Sequence, residues 1–213
     1  MKIIENVYML DSAKGSHVFL IKAEQNILID TGLPGQSGRI LSELRSLGAV
    51  PESIKTILLT HHDVDHTGNA KSLQEATQAK LQAPEKDIPY ILGEKKRPGI
   101  KRVIGALIHL QKPVIHGCHS PGQCFGELKA IAAPGHTPGH TIFHYRNVLF
   151  TGDLFQVKNG RFQLLPELMN WDTNEVKKSI ALLKDLEFDW LCPSHGKPVQ
   201  NSQSAREFLS RFA

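Results

Sequence analysis

The chain has 213 residues, enough for one domain with a substantial core, and we predict a single domain over residues 1–213. Its 25 basic and 21 acidic residues give a net charge of +4, too small by itself to predict nucleic-acid binding. No apolar run approaches the roughly 18–20 residues of a membrane span, the N-terminus lacks the apolar core of a secretory signal, and three cysteines do not make a disulfide framework. We therefore expect a cytoplasmic protein with reduced thiols and with neither nucleic acid nor membrane as a partner.

The first half of the chain is predicted to alternate strands with helices. Four apolar residues at helical spacing predict a helix over residues 37–47, which Gly48 ends. A second helix is predicted over 69–76. Short apolar runs between polar residues predict strands at 7–10, 16–22, 25–29, 56–59 and 80–83.

Residues 84–113 contain four prolines and are predicted as broken helical pieces, of which 100–110 is the strongest. Its apolar stripe is formed by Val103, Ile104, Leu107 and Ile108. Core packing is the ordinary interpretation of such a stripe, and the lining of a substrate mouth is the alternative. Residues 86–112 also carry seven basic and two acidic residues. This excess indicates either a solvated helical face or a patch that attracts an anionic substrate.

The second half returns to strands, predicted at 114–115, 127–132, 141–145, 148–150 and 190–192. Arg146-Asn147 suits a tight hairpin turn. Asp172 is predicted to cap a helix, with Glu175 three residues later as in a capping box, and a last helix is predicted over 203–212. Strand hairpins dominate both ends of the chain. The pattern predicts an α+β fold, a four-layer αββα sandwich in which two sheets pack face to face with helices outside.

Residues 60–66 read Thr-His-His-Asp-Val-Asp-His and directly follow a short apolar run. Five of these seven residues can bind a metal or a proton. Because a buried strand is predicted to end here, its loop can hold several ligands rigidly around one point. Imidazole with carboxylate suits Zn, Fe, Mn and similar ions, so this loop predicts a metal site.

Three further fragments carry the same chemistry next to predicted strand ends. They are Pro134–His140 (PGHTPGH), Phe150–Asp153 (FTGD) and Cys192–Gly196 (CPSHG). In each, a glycine stands beside a histidine or an aspartate and allows a sharp turn or a close approach. With the first loop, these fragments offer more ligands than one tetrahedral site needs. The count fits two metals that share a bridging carboxylate.

The order HxDxDH, GH, TGD, SHG resembles that of the metallo-β-lactamase-fold hydrolases, and the resemblance covers nearly the whole chain from residue 28 to the SHG motif. The usual first motif of that family is HxHxDH, so Asp63 stands where the second histidine would be. A carboxylate at this position also occurs in family branches such as the diiron flavoproteins. Oxygen ligands favour Mn or Fe relative to Zn more than imidazole does.

The resemblance implies the role of each ligand. His61, Asp63 and His136 would hold one metal, and Asp65, His66 and His195 the other. Asp153 would bridge them. Two divalent ions per chain follow, Zn in the first place with Mn or Fe as alternatives. A bridging hydroxide would attack the substrate, and Asp65 would orient it and receive a proton.

The resemblance implies a binuclear metal-dependent hydrolase acting on a small ester, thioester or lactone-like substrate. GHTPGHT and TGDLF are similar to the glyoxalase II group, which favours a thioester. The lactonases of the family commonly carry a tyrosine three residues after the bridging aspartate, where this chain has Gln156. The alternative function is iron-dependent redox chemistry on the same scaffold, of the persulfide dioxygenase or diiron kind.

Other histidines and cysteines are predicted to lie outside the ligand set. His62 should point away from its neighbours if the loop begins in extended geometry. His140 should support the site or pack beneath it. Cys118 and Cys124 lack the paired spacing of a structural zinc site.

Overall fold

The computed structural model of the protein describes residues 1–108 and 110–212. Its contacts divide the chain into two compact units, Met1–Cys118 and His119–Ala213. Within the described residues, no helix is long and apolar enough to cross a membrane. The predicted helix over 100–110 includes His109, and the predicted domain includes Ala213. Both residues lie outside the described part of the chain.

The first unit is built on a sheet whose strands follow sequence order. Its described strands are β1 (Lys2–Ile4), β2 (Val7–Met9), β3 (Phe19–Ile21), β4 (Asn26–Ile29), β5 (Ile54–Leu58), β6 (Lys80–Pro84) and β7 (Gly117–His119). The strands from β1 to β4 pair antiparallel, whereas β4, β5 and β6 run parallel. The carboxyl ends of β4 and β5 therefore meet at one edge of the sheet, where ligand sites of parallel sheets usually lie.

The helices of this unit are α1 (Ser37–Ser46), α2 (Val64–Thr67), α3 (Ala70–Thr77), α4 (Ile88–Ile91) and α5 (Gly99–Leu107), with 3-10 turns at Pro51–Ser53 and Glu85–Asp87. Two of them supply the apolar face predicted from their spacing. Ile40 and Leu44 of α1 and Leu73 of α3 join Leu28 and Ile57 of the sheet in one buried cluster. Burial of such side chains is the main force that holds the helices on the sheet.

The second unit has a sheet in the order β15-β14-β11-β10-β9-β8 and a separate pair, β12 with β13. Its strands are β8 (Cys124–Phe125), β9 (Leu128–Ala132), β10 (Thr141–Tyr145), β11 (Val148–Gly152), β12 (Gln156–Lys158), β13 (Arg161–Gln163), β14 (Trp190–Pro193) and β15 (Val199–Gln200). Helices α6 (Thr173–Ala181) and α7 (Gln203–Ser210), with 3-10 turns at Glu167–Met169 and Leu182–Asp185, complete it. Val176 and Phe208 belong to its buried cluster.

Two predicted turns and caps take their expected places. Tyr145 pairs with Val148, so Arg146-Asn147 is the hairpin turn between β10 and β11. The Asp172 carboxylate accepts from the backbone N–H groups of residues 174 and 175 and caps α6. The other half of a capping box is not formed, because the Asp172 N–H donates to the Gly135 carbonyl (2.8 Å). That bond ties the start of α6 to the loop that carries His136.

The predicted strand at 114–115 is wrong, and the strand lies at β7 instead. Both backbone groups of Val114 bond to the side-chain amide of Gln74, at 2.9 Å from its N–H and 2.7 Å from its carbonyl. A side chain thus takes the hydrogen bonds that a neighbouring strand would need.

Core packing of the apolar stripe is wrong for two of its four residues, whereas Ile104 and Ile108 are half-buried. Val103 and Leu107 are 54% and 79% exposed, and Ile100 beside them is 41% exposed. Among the side chains of α5 that the structure describes, the fully buried one is that of Lys101.

Candidate metal centre

The loop after β5 is short and turns at once into α2, because the Asp63 carbonyl accepts from the N–H groups of His66 and Thr67. His61, Asp63 and His66 are buried, and the Asp65 side chain is 22% exposed. Ser16 Oγ donates to the Asp65 carbonyl (2.5 Å) and fixes this part of the loop. The four predicted ligands of the loop thus lie in one rigid turn.

Asp30 is the main site residue that the sequence reasoning missed. It directly follows β4, is buried, and has a left-handed backbone with φ of 61°. Its Oδ1 accepts from the Thr60 N–H (2.8 Å), and its Oδ2 lies 2.8 Å from both Thr60 Oγ1 and His66 Nδ1. The sequence did contain a signal for Asp30, since this aspartate directly follows β4, which runs parallel to the ligand-bearing strand β5.

These bonds fix the tautomers of two of the three histidines of the loop, His61 and His66. Because the Asp30 carboxylate accepts, His66 carries its proton on Nδ1. Thr60 Oγ1 gives its single proton to Asp30 and accepts from His61 Nδ1 at 2.9 Å. In the neutral form of each ring, Nε2 then carries the lone pair, and this is the form of an imidazole that binds a metal.

His136 of the second unit has the same arrangement. Its Nδ1 lies 3.0 Å from Asn170 Oδ1, and its Nε2 lies 3.4 Å from Asp153 Oδ2. The half-buried His195 approaches the same oxygen with its Nε2 at 3.2 Å. Two imidazoles thus converge on one carboxylate. Asn170, which the sequence reasoning missed, orients the His136 ring through an amide oxygen.

His140 supports this group rather than joining it. Its Nδ1 bonds to the Ala133 carbonyl (3.0 Å), and its Nε2 accepts from the Asp153 N–H (3.0 Å). Both ring nitrogens are thereby used, and the ring holds the backbone of Asp153 in place. This is the supporting role that the GHTPGH pattern predicted.

Two glycines allow the close approaches on which these loops depend. A Cβ on Gly135 would lie 2.3 Å from the backbone nitrogen of Val176, and one on Gly196 would lie 1.9 Å from the carbonyl oxygen of Val157. Both glycines also have positive φ, of 128° and 95°. The GH and SHG motifs therefore require glycine for steric reasons.

Asp63 has a neighbour that the sequence did not reveal. Lys101 Nζ of α5 lies 2.6 Å from Asp63 Oδ2, and the two side chains are only 7% and 9% exposed. Asp63 Oδ2 also lies 3.6 Å from His61 Nε2. The basic segment over residues 86–112 therefore does more than form a solvated face or attract an anionic substrate. It places a cation on a predicted ligand.

His62 lies mainly against Asp87 and Tyr90, with its Nε2 3.6 Å from Asp63 Oδ1. Its N–H donates to Asp87 Oδ2 (3.0 Å), its Nδ1 lies 2.9 Å from the same oxygen, and its ring stacks on Tyr90 at 4.6 Å. Its carbonyl accepts from Arg97 Nη2 (2.5 Å). Burial lowers the pKa of the Arg97 guanidinium, and the charges of Asp63 and Asp87 oppose that shift.

The donor set passes a chemical test for a divalent ion. In each unit, buried imidazole Nε2 atoms lie between 3.4 and 3.8 Å from carboxylate oxygens, a separation that suits two ligands each bound at about 2.0–2.2 Å to one ion. Neutral imidazole and carboxylate suit Zn, Mn or Fe rather than Ca or Mg. The three cysteines do not contribute, since Cys118 and Cys124 are exposed and burial raises the pKa of the Cys192 thiol.

Comparison with known proteins agrees with this chemistry. The model of the metallo-β-lactamase superfamily matches residues 12–195. The chain is 27% identical over 203 residues to the probable metallo-hydrolase YybB of Bacillus subtilis, covering 92% of this chain and 88% of YybB. It is 30% identical over 154 residues to a hydroxyacylglutathione hydrolase of Mesorhizobium japonicum, covering 70% of this chain and 51% of that protein.

Among solved structures, the protein is similar to BJP-1, a subclass B3 metallo-β-lactamase of Bradyrhizobium japonicum. The TM-score is 0.74 and the sequences are 29% identical, over 92% of this chain and 76% of BJP-1. The predicted fold and the predicted enzyme class are confirmed by these matches and by the mixed sheets and helices of the described residues. The chain belongs to the metallo-β-lactamase superfamily.

Proposed function

We propose that this protein is a binuclear metal-dependent hydrolase that cleaves a small ester, thioester or lactone-like substrate. The observation that carries the proposal is that Nδ1 of His61, His66 and His136 lies 2.9, 2.8 and 3.0 Å from an oxygen, an arrangement that leaves Nε2 of the neutral ring as the lone-pair donor. Histidines that only pack in a core would not need the same arrangement, and here three histidines share it. Divalent ions bound there would supply an acidified water and polarise the scissile carbonyl.

In this proposal, His61, Asp63 and His136 form the first ligand set and Asp65, His66 and His195 the second, with Asp153 shared between them. The superfamily match over residues 12–195 includes all seven of these residues and supports the assignment. Within the second unit, the convergence of His136 and His195 on Asp153 Oδ2 supports the shared role.

Asp65 is the proposed catalytic carboxylate. Its side chain is the more exposed of the two aspartates in the loop, and its backbone is held by Ser16. The carboxylate can therefore reach an attacking water while the backbone stays in place. It would orient the attacking water, take up its proton and return a proton to the leaving group. The likeness to a hydroxyacylglutathione hydrolase supports an acyl thioester as the first substrate to assay, although the chain spans only about half of that relative.

The test combines elemental analysis with a substrate panel. Protein loaded with Zn, Mn or Fe and then dialysed should retain close to two ions per chain and hydrolyse at least one acyl thioester, ester or lactone. Asp153→Ala should lose metal at both positions together with activity, because the carboxylate is shared. Asp185→Ala, an exposed aspartate of the same unit, is the matched control and should match the wild type.

Two results would contradict the proposal. A wild-type protein that retains no metal after reconstitution would remove the ligand assignment and the hydrolase with it. An Asp153→Ala variant with two ions per chain and full activity would remove the shared role of Asp153.

A further inference from the structure

Helix α5 buries one of its two basic side chains, Lys101, while it exposes Val103 and Leu107, which is unusual for a surface helix. Lys101 is 7% exposed, whereas Val103 and Leu107 are more than half exposed. The buried position of Lys101 therefore does not follow from apolar packing of the helix. Its close partner in the same unit is Asp63, with Nζ 2.6 Å from Oδ2.

A buried ion pair is a costly way to stabilise a fold. Removing an ammonium and a carboxylate from water carries a large desolvation cost, and their attraction in the interior often does no more than offset it. Such a pair is therefore better explained by what it does to the carboxylate. Asp63 lies in the ligand loop, with its Oδ2 3.6 Å from His61 Nε2.

The surroundings of the loop show why a cation is placed there. Asp30, Asp63, Asp65 and Asp87 put four carboxylates in or beside one short turn. Arg97 donates to the His62 carbonyl, and its guanidinium interacts with the charges of Asp63 and Asp87. Lys101 contacts one member of a proposed ligand set directly. The pair of Asp63 and Lys101 has no net charge, and in this respect it resembles a neutral imidazole.

We propose that Lys101 is a positioning residue of the metal centre, which holds Asp63 through Oδ2 and makes it a weaker ligand than Asp65. This inference rests on the proposed function, since it concerns the affinity of the first ligand set. The ammonium fixes the rotamer of Asp63 and offsets part of its charge. The two positions should therefore bind divalent ions with unequal affinity, the weaker being that of His61 and Asp63.

The first experiment is a metal titration of the wild type and of Lys101→Met. Zn and Mn are titrated against a competing chelator, with bound metal counted by elemental analysis. Lys101→Met should bind the weaker ion about tenfold more tightly or better, because a cation within a few ångströms of the ligand is gone. Lys101→Arg retains the charge and should stay close to the wild type. Lys96→Met removes an exposed lysine of the same segment and is the matched control.

The second experiment measures thermal unfolding in the presence of a chelator, a readout that does not depend on activity. Lys101→Met should unfold at a lower temperature than Lys96→Met, because the Asp63 carboxylate stays buried after its cation is removed. The double variant Asp63→His with Lys101→Met removes both charges and should recover most of that loss. It also keeps the test informative if Lys101→Met alone does not fold.

Equal metal affinities for the wild type and Lys101→Met would overturn the inference and leave the proposed hydrolase standing. Unfolding of Lys101→Met at the temperature of the Lys96→Met control would overturn it as well. A wild type that binds no metal would end both proposals together.

Discussion

Gly196 lies in the SHG motif, where two backbone segments of the second unit touch. Its φ is 95°, and an added Cβ would lie 1.9 Å from the carbonyl oxygen of Val157 and 2.7 Å from its carbonyl carbon. The Val157 N–H donates to the His195 carbonyl at 3.0 Å, so this contact also fixes the backbone of a predicted ligand. Gly196→Ala should therefore both destabilise the fold and displace His195.

The destabilisation has two parts, and a control separates them. A left-handed backbone costs a residue with a Cβ about 1–2 kcal/mol, and a clash that only a backbone shift relieves adds about 1–3 kcal/mol. Gly160 has φ of 72° and open space around its Cβ position, so Gly160→Ala bears the first cost alone. Both variants gain the same small stabilisation from a stiffer unfolded chain, which cancels in the comparison.

The assay is thermal unfolding of both variants in the presence of a chelator, so that metal binding does not contribute. For a chain of this size, 1 kcal/mol shifts the midpoint by about 2–4 °C, so Gly196→Ala should melt roughly 2–12 °C below Gly160→Ala. Metal titration should also show, in Gly196→Ala only, weaker binding of the ion that is proposed to be held by Asp65, His66 and His195. Coincident melting curves for the two variants would refute the steric argument, since the same φ penalty would then account for both.

Two further predictions concern single side chains. Asp30→Asn keeps the shape and tolerates the left-handed backbone, but it removes the charge that holds the neighbouring imidazole, so chelator competition should show about 10–100-fold weaker metal binding. An unchanged affinity would mean that the tautomer is fixed in another way. In the native protein, Cys118 and Cys124 should react rapidly with a disulfide reagent, while Cys192 should react only after unfolding, because it is buried and its thiol pKa is raised. Rapid reaction of all three thiols would contradict the burial of Cys192.

Local pattern was enough to predict most elements and the position of each ligand motif. The predicted strand at 141–145 has the bounds found for β10, and the predicted helix over 37–47 exceeds α1 by one residue. These segments carry their own signal, either apolar residues at a regular spacing or a turn that only certain residues form. The loop of His61 follows a buried strand as predicted, because a run of apolar residues and a run of ligands cannot belong to the same strand.

Residues that hold the ligands could not be predicted in this way. Asp30 and Asn170 act through partners 36 and 34 positions away, and only the paired strands and loops decide which side chains meet. The strand predicted at 114–115 failed for a related reason. The side chain of Gln74, 40 residues earlier, takes the backbone bonds of Val114.

The departure from the usual motif at Asp63 shows how these two kinds of information combine. From the sequence alone, an aspartate in place of a histidine indicates a harder, more anionic site and a shift from Zn toward Mn or Fe. The ammonium of Lys101 at 2.6 Å opposes that shift, since it offsets the charge that the substitution introduced. A motif gives the identity of a ligand, but the charge that a metal meets depends on every group within a few ångströms. Under the proposed ligand assignment, the metal preference should therefore depend on residues 63 and 101 together, and a variant at either position alone should report the combined effect of both.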